Sequence, residues 1–193
     1  MDNVRLAFVQ LILRSAGFPE TLAQARFLLW LASSGLIKKV EDALKQKNRS
    51  LQKEIRNMKL STPLAEALLE ADPKYGTVAN AQAALRAEFP DSTSPTINES
   101  LDLIRQVFAK DGQLPCTLLV VDEIQQFIGE KIQRAMDVQE IAENCCRNLD
   151  RRLLLVGTGQ SALTTTASLG RLQARFAVRV QLSDTDVETV IRQ

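Results

Sequence analysis

The sequence predicts an α/β protein in which a mainly helical region, residues 1–111, precedes a smaller region with parallel strands, residues 112–193. Apolar residues recur at helical spacing through the first region. A continuous apolar run opens the second region, and a similar run follows about one crossover helix later. Hydrophobic residues make up 45% and charged residues 24% of the 193 residues, a composition that excludes a mainly disordered chain.

Glycine and proline mark the predicted helix boundaries of the first region. The first helix ends at Gly17, and the second has Pro19 near its start and Gly35 at its end. Residues 36–59 are expected to continue as helix, because one apolar stripe runs through them. The segment 90–96 interrupts the helical pattern. The predicted helical segments are 4–17, 18–35, 36–59, 61–71, 77–89 and 98–112.

Three strands are predicted in the second region, two of them from strong apolar runs. The run TLLVVDE (117–123) ends in two acids, and RLLLVGTGQ (152–160) repeats the apolar run and ends in a glycine-rich turn. Short continuous apolar runs are typical of parallel strands buried on both faces. Residues 136–150 between them are predicted to form a helix, and FAVRVQL (176–182) a third, weaker strand.

Asp122 and Glu123 are the main candidate site residues, because the strand places them at its carboxyl end, where ligands bind in open α/β sheets. A carboxylate there can hold a hard divalent cation, and a second can polarise a water that attacks a phosphate. Thr158 and Gln160 reach the same edge of the sheet. Arg175, just before the third strand, can stabilise charge on a transferring phosphoryl group. Each feature also has a purely structural interpretation. The two acids could be the start of an acidic helix, the glycines after the second strand could form a tight turn, and Arg175 could be a surface charge.

Composition excludes several classes of site. The chain has no histidine, which excludes histidine-based triads and nearly every histidine-containing zinc site. Three cysteines without framework spacing indicate reduced thiols in a cytoplasmic protein, with Cys145 and Cys146 expected to be buried. No apolar run is long enough to span a membrane, and no secretory signal is visible. The 24 basic and 23 acidic residues give no indication of a nucleic-acid partner.

Three segments resemble the Walker B, sensor 1 and arginine-finger regions of AAA+ ATPases: LLVVDEIQQFIG, LLLVGTGQSAL and RLQARFAVRVQLSDTDVETVI. More narrowly, they resemble the BrxC (PglY-type) ATPases of bacterial BREX anti-phage systems. In the helical region, the segment ARFLLWLASSG and the stretch from ADP to FPDSTSPTINES are similar to the same family. The resemblance implies ATP and Mg²⁺ as cofactors, a homo-oligomer, and other BREX components as partners.

The resemblance also implies a role for each candidate residue. Asp122 corresponds to the Mg²⁺-coordinating acid and Glu123 to the catalytic acid that activates water. Gln160 falls at the polar sensor 1 position, with Thr158 as the alternative. Arg175 corresponds to an arginine finger that acts on the nucleotide of a neighbouring subunit.

One essential motif of that family is missing. A P-loop requires G-x-x-x-x-G-K-[ST], and the sequence contains no such segment, since GEK (129–131) runs on into Ile132. Residues 129–137 are instead expected to form a turn and the start of the crossover helix. We therefore expect an incomplete AAA+-type core, an internal or truncated piece of a longer ATPase, that binds ATP weakly at best by itself.

A basic stretch, residues 36–60, leaves a different class of function open. It holds eight lysines and arginines against three acids, a pattern usual for a solvated helix face. The alternative is a contact with nucleic-acid phosphates. The chain would then be a non-catalytic helical module that binds DNA or another defence component. A product without independent activity is the third possibility.

Overall fold

The computed structural model describes residues 3–91, 95–129 and 131–159, together with Phe176, Val178 and Val180. The chain divides into two compact units, Met1–Pro115 and Cys116–Gln193. The described part of the first unit is helical, and that of the second contains a small parallel sheet. Most of the predicted third strand, residues 176–182, and the segment after it lie outside the described residues, so that prediction has no outcome here.

Helices pack in pairs within the first unit. The most extensively packed pairs are α3 (Ile37–Gln46) with α5 (Thr62–Ala71), α5 with α6 (Val78–Glu88), and α1 (Val4–Ser15) with α7 (Ile97–Phe108). The core between them includes the fully buried Phe27, Leu31, Leu44, Leu64 and Leu68. The helices are α1 (Val4–Ser15), α2 (Leu22–Ser33), α3 (Ile37–Gln46), α4 (Leu51–Glu54), α5 (Thr62–Ala71), α6 (Val78–Glu88) and α7 (Ile97–Phe108), with short 3₁₀ turns at Ile55–Asn57 and Pro73–Tyr75.

Three helices of this unit end in the same left-handed cap. Gly17, Gly35 and Asn48 all have positive φ, at 77°, 68° and 54°. In each case the next amide donates to the carbonyl five residues earlier, as from Arg49 to Leu44 at 2.9 Å. The prediction of helix ends at Gly17 and Gly35 is confirmed.

The cap at Asn48 overturns the prediction of one helix over 36–59. Asparagine tolerates the left-handed conformation, so α3 stops there and α4 begins only at Leu51. The apolar stripe is nevertheless buried, because Leu44, Leu51 and Ile55 all face the core. A stripe of this kind reports which residues are buried and does not require an unbroken helix.

Hydroxyl residues cap the start of three described helices, α5, α6 and α7. The Ser61 hydroxyl accepts the Leu64 amide at 3.1 Å at the start of α5. At the start of α7 the Thr96 hydroxyl accepts the Glu99 amide at 3.2 Å, and the Glu99 carboxylate accepts the Thr96 amide at 2.8 Å. This helix ends at Phe108, earlier than predicted.

The early end of α7 is due to a tight turn after it. Lys110 and Gln113 pair backbone to backbone, and the two residues between them, Asp111 and Gly112, both have positive φ. This is the geometry of a type I′ turn, for which Asp-Gly is a preferred sequence. Gly112 thus belongs to the turn and does not cap the helix.

The described part of the second unit holds two parallel strands and the segment that connects them. Its elements are β1 (Thr117–Val121), α8 (Ile124–Ile128), α9 (Ile132–Asn148) and β2 (Leu153–Gly157). The strands pair in register from Thr117 with Leu153 to Val121 with Gly157, which confirms the predicted parallel pair. Helix α9 packs against β2, as a crossover helix does.

The two faces of this sheet differ in exposure. Leu119 and Leu153 are buried, whereas Leu118, Val120 and Leu154 are 61%, 50% and 63% exposed. We call these three residues the outer apolar face. The expectation that the strands are buried on both faces is therefore wrong for the described part of the chain. Helix α9 covers one face of the pair, and no described element buries the other.

The cysteines differ in their surroundings. Cys145 lies buried on α9, and burial raises the pKa of its thiol to about 12. Cys146 and Cys116 are exposed, so the expectation that Cys145 and Cys146 are both buried holds for one of them. Within the described ranges, no helix is long and apolar enough to cross a membrane.

Candidate functional site

The two candidate acids lie in a short turn between β1 and α8, residues 121–124, which we call the acid turn. Strand β1 ends at Val121, so Asp122 and Glu123 follow at its carboxyl end. Asp122 is exposed and Glu123 is half-buried. Ile124, the first residue of α8, is only 2% exposed and anchors the far side of the turn.

Thr158, the residue after β2, is bonded to the acid turn through its backbone and its side chain. Its amide donates to the Val121 carbonyl and its carbonyl accepts the Ile124 amide, both at 3.0 Å. Its hydroxyl accepts the Glu123 amide at 3.1 Å and donates to the Asp122 carboxylate. The carboxyl ends of the two strands are therefore joined through one threonine.

Glu123 has an unusual backbone conformation for a residue other than glycine. Its φ of 50° and ψ of 45° place it in the left-handed region. That conformation costs an L-residue about 1–2 kcal/mol and persists only where neighbouring groups hold it. Here the Glu123 amide is shared between the Asp122 carboxylate, at 3.0 Å, and the Thr158 hydroxyl. Such strain is often found at functional sites.

Gly157, the last residue of β2, allows close packing beside the acid turn. A Cβ atom at this position would lie 3.4 Å from Cδ1 of Ile124 and 3.6 Å from the ring of Phe176. Both distances are ordinary van der Waals contacts, so an alanine would fit here without displacing either group. Only a side chain larger than alanine would press on Ile124.

The structure brings together three of the five predicted site residues: Asp122, Glu123 and Thr158. Gln160 and Arg175 lie outside the described residues, so their predicted roles have no geometry here. Sequence reasoning missed the anchoring role of Ile124. The available signal was an isoleucine directly after two acids, because an apolar residue at that position indicates that the helix start is partly buried.

The acid turn has only part of what a magnesium nucleotide requires. Mg²⁺ is often held by one or two carboxylates together with water and substrate phosphates, so Asp122 can serve as one ligand. In the part of the chain that the structure describes, however, no group of three or more acidic or cysteine side chains is arranged around a common metal position. The sequence also has no P-loop to hold phosphates. These residues alone therefore do not fit ATP.

The basic stretch of the helical unit is engaged in ion pairs with its own chain. Lys47 lies 3.0 Å from Glu66 and 2.8 Å from Glu70, and the hydrogen bonds to these carboxylates raise its pKa. Lys59 lies 2.8 Å from Asp91. Arg49 pairs with Glu54 and Lys45 with Asp42, both at 3.4 Å. This arrangement favours a solvated surface over a continuous phosphate-binding face.

A cavity of about 520 Å³ lies in the helical unit, between α2 and α7. Its lining includes Arg26, Trp30 and Gln106. The Trp30 ring stacks on Phe27, with 6.0 Å between ring centroids, and the ammonium of Lys74 lies 5.6 Å from its centroid. Trp30 is thus largely engaged in packing.

No protein-family model, curated protein or solved structure matches the chain. The functional interpretation therefore depends on the geometry of the acid turn and on the sequence motifs that surround it.

Proposed function

We propose that this chain is the acid-bearing part of an ATP-hydrolysing AAA+ protein of the BREX type that acts in bacterial defence against phage. The observation that carries this proposal is the position of Asp122 and Glu123 at the carboxyl end of β1, held there by the residue after β2. In this role Asp122 would hold Mg²⁺, and Glu123 would orient and activate the attacking water.

The phosphate contacts come, in this proposal, from a P-loop that is not part of this sequence. The chain alone then binds ATP weakly at best and does not hydrolyse it. Gln160 would contact the nucleotide from the end of the second strand, and Arg175 would act on the site of a neighbouring subunit in a homo-oligomer. Other BREX components are the expected partners, and the cytoplasm is the expected location.

The first test is the nucleotide sequence next to the gene. An in-frame G-x-x-x-x-G-K-[ST] segment upstream is the expected finding, and the protein that contains both parts should hydrolyse ATP. In that protein Glu123→Gln keeps the shape of the side chain but removes its charge. It should slow hydrolysis about 100-fold or more and leave ATP binding nearly intact.

Glu88→Gln is the matched control for this substitution. Glu88 is an exposed residue of α6 in the helical unit, and the same chemical change there should leave the rate unchanged. Equal rates for the two variants would remove Glu123 from the catalytic machinery. Micromolar ATP affinity of the 193-residue chain alone, measured by calorimetry, would contradict the need for a separate P-loop.

A non-catalytic module that binds DNA is the second candidate, favoured by the exposed Lys38, Lys39 and Lys53 on α3 and α4. Its signature is an affinity for duplex DNA that falls steeply with salt. The triple exchange of these lysines for glutamine should then weaken binding in a fluorescence anisotropy titration at low salt. Binding that is absent, or insensitive to these lysines, would dismiss this candidate.

A further inference from the structure

We infer that Thr158 is a positioning residue that holds Glu123 in its left-handed conformation and does not itself contact nucleotide. The catalytic consequence of this inference rests on the proposed function. The hydrogen bonds that support the inference do not depend on that function. It also departs from the resemblance to AAA+ proteins, which offers Thr158 as an alternative nucleotide contact.

The polar groups of Thr158 already have partners in the acid turn. The hydroxyl proton is donated to the Asp122 carboxylate, and the hydroxyl oxygen accepts the Glu123 amide at 3.1 Å. The backbone amide and carbonyl bond Val121 and Ile124. A nucleotide phosphate that takes the hydroxyl proton would have to displace the Asp122 carboxylate. The side chain is therefore better placed to hold the turn than to bind a ligand.

The conformation of Glu123 explains why such a residue is needed. A left-handed glutamate reverts to a more favourable backbone conformation unless its neighbours hold it. Ile124, the residue after Glu123, is fixed by its burial. Val121, two residues before Glu123, is fixed by strand pairing with Gly157. The Glu123 amide itself donates to the carboxylate of Asp122 and to the hydroxyl of Thr158. Loss of the Thr158 hydroxyl removes one of these acceptors and releases the Asp122 carboxylate from its donor.

The test on the chain itself is amide hydrogen exchange at Glu123, compared among Thr158→Val, Thr158→Ser and the unchanged protein. Valine has nearly the shape of threonine without the hydroxyl, whereas serine keeps the hydroxyl. We expect exchange about tenfold faster in Thr158→Val and unchanged in Thr158→Ser, since a hydrogen bond of ordinary strength is lost only in the first. Equal exchange in all three proteins would overturn the inference.

Two comparisons keep this test interpretable. Thr117→Val makes the same chemical change at the other end of β1 and should leave exchange at Glu123 unaltered. Thr158→Ala removes the hydroxyl without a branched methyl group, and should match Thr158→Val. Because Thr158 is exposed, neither substitution leaves a cavity in the core. Protection of the other β1 and β2 amides shows that the sheet remains folded.

The catalytic consequence is tested in the protein that also contains a P-loop. If Thr158 acts through Glu123, Thr158→Val lowers kcat about tenfold and leaves KM for ATP within a factor of two, and Thr158→Ser restores kcat. A rise in KM with kcat unchanged would instead show a direct nucleotide contact and overturn the inference. If the unchanged protein hydrolyses no ATP, the proposed function fails, and the exchange measurement still decides whether Thr158 holds the turn.

Discussion

Leu118 of β1 and Leu154 of β2 lie directly beside each other in the parallel register, and both are more than 60% exposed. With Val120 they form a continuous apolar surface on a sheet of two described strands. Removal of such surface from water is favourable by about 25 cal/mol for each Å². Since a contiguous apolar patch is a common site of association, the isolated chain should be prone to contacts through this face.

We predict that the isolated chain self-associates and that the double variant Leu118→Thr, Leu154→Thr weakens association about tenfold or more. Threonine is suited to strands, so the pairing of β1 and β2 should be retained. Sedimentation velocity over a range of concentrations measures the effect. Leu60→Thr is the control, because Leu60 is 73% exposed but lies in the helical unit. If both variants associate as the unchanged chain does, the outer apolar face is not responsible.

The turn before β2 offers a test of stability. Asp150 and Arg151 both have positive φ, at 52° and 57°, and the Arg152 amide donates to the Leu149 carbonyl at 2.9 Å. Arginine bears the full cost of this conformation, whereas aspartate tolerates it better. Arg151→Gly should raise the free energy of unfolding by about 0.5–1 kcal/mol. This value is the backbone strain that glycine relieves, reduced by the entropic cost of ordering a glycine that is freer in the unfolded chain.

Urea unfolding of the second unit, followed at the β2 amides, measures this change. Arg152→Gly is the control, because Arg152 does not have a positive φ and gains nothing from glycine. It should be neutral or destabilising. A loss of stability in Arg151→Gly equal to that in the control would show that the turn is not strained in solution.

The capping box of α7 predicts a specific dependence of stability on pH. The Thr96 amide, the Thr96 hydroxyl and the Arg26 guanidinium hold the pKa of Glu99 below its usual value of 4.5, against a partial burial that raises it. The folded protein therefore binds fewer protons there than the unfolded chain does. The stabilisation is complete above pH 4.5 and is lost as the pH falls through the lowered pKa.

Glu99→Gln retains a capping side chain without the charge. At pH 7 it should lower the free energy of unfolding by less than about 1 kcal/mol, because the carboxylate is well exposed. The difference from the unchanged protein should shrink as the pH falls through the lowered pKa of Glu99. Chemical unfolding over a range of pH from 7 downward measures this, with Glu88→Gln as a control that shows no such loss. A difference that persists at low pH would mean that the charge is irrelevant.

Arg175 is tested in the oligomer that hydrolyses ATP. Arg175→Ala should lower the rate by about 1000-fold, the range of an arginine finger, whereas Arg147→Ala on the exposed end of α9 should not. Oligomers assembled from a mixture of Arg175→Ala subunits and Glu123→Gln subunits should recover part of the activity. The recovery comes from interfaces at which an intact Arg175 meets an intact Glu123. A rate for Arg175→Ala equal to that of the unchanged protein would exclude it as a finger.

Sequence patterns predicted the presence of helices and strands better than the residues at which they end or the elements that cover them. The acids were placed at the end of β1 because a buried strand and its boundary residues are local signals. The break at Asn48 was missed because the apolar stripe continues across it. The exposure of Leu118 could not be predicted, since it depends on which elements cover the sheet and not on the strand itself. The bonds from Thr158 to Glu123 join residues 35 positions apart, and no local pattern contains them.

The buried thiol of Cys145 provides a natural probe of how often helix α9 separates from the sheet. Only the thiolate reacts with thiol reagents, and both burial and the raised pKa keep Cys145 from forming it in the closed helix. A maleimide or disulfide reagent should therefore modify Cys116 and Cys146 quickly and Cys145 only when α9 separates from the sheet. The slow phase of modification then gives the frequency of that opening, without any engineered label.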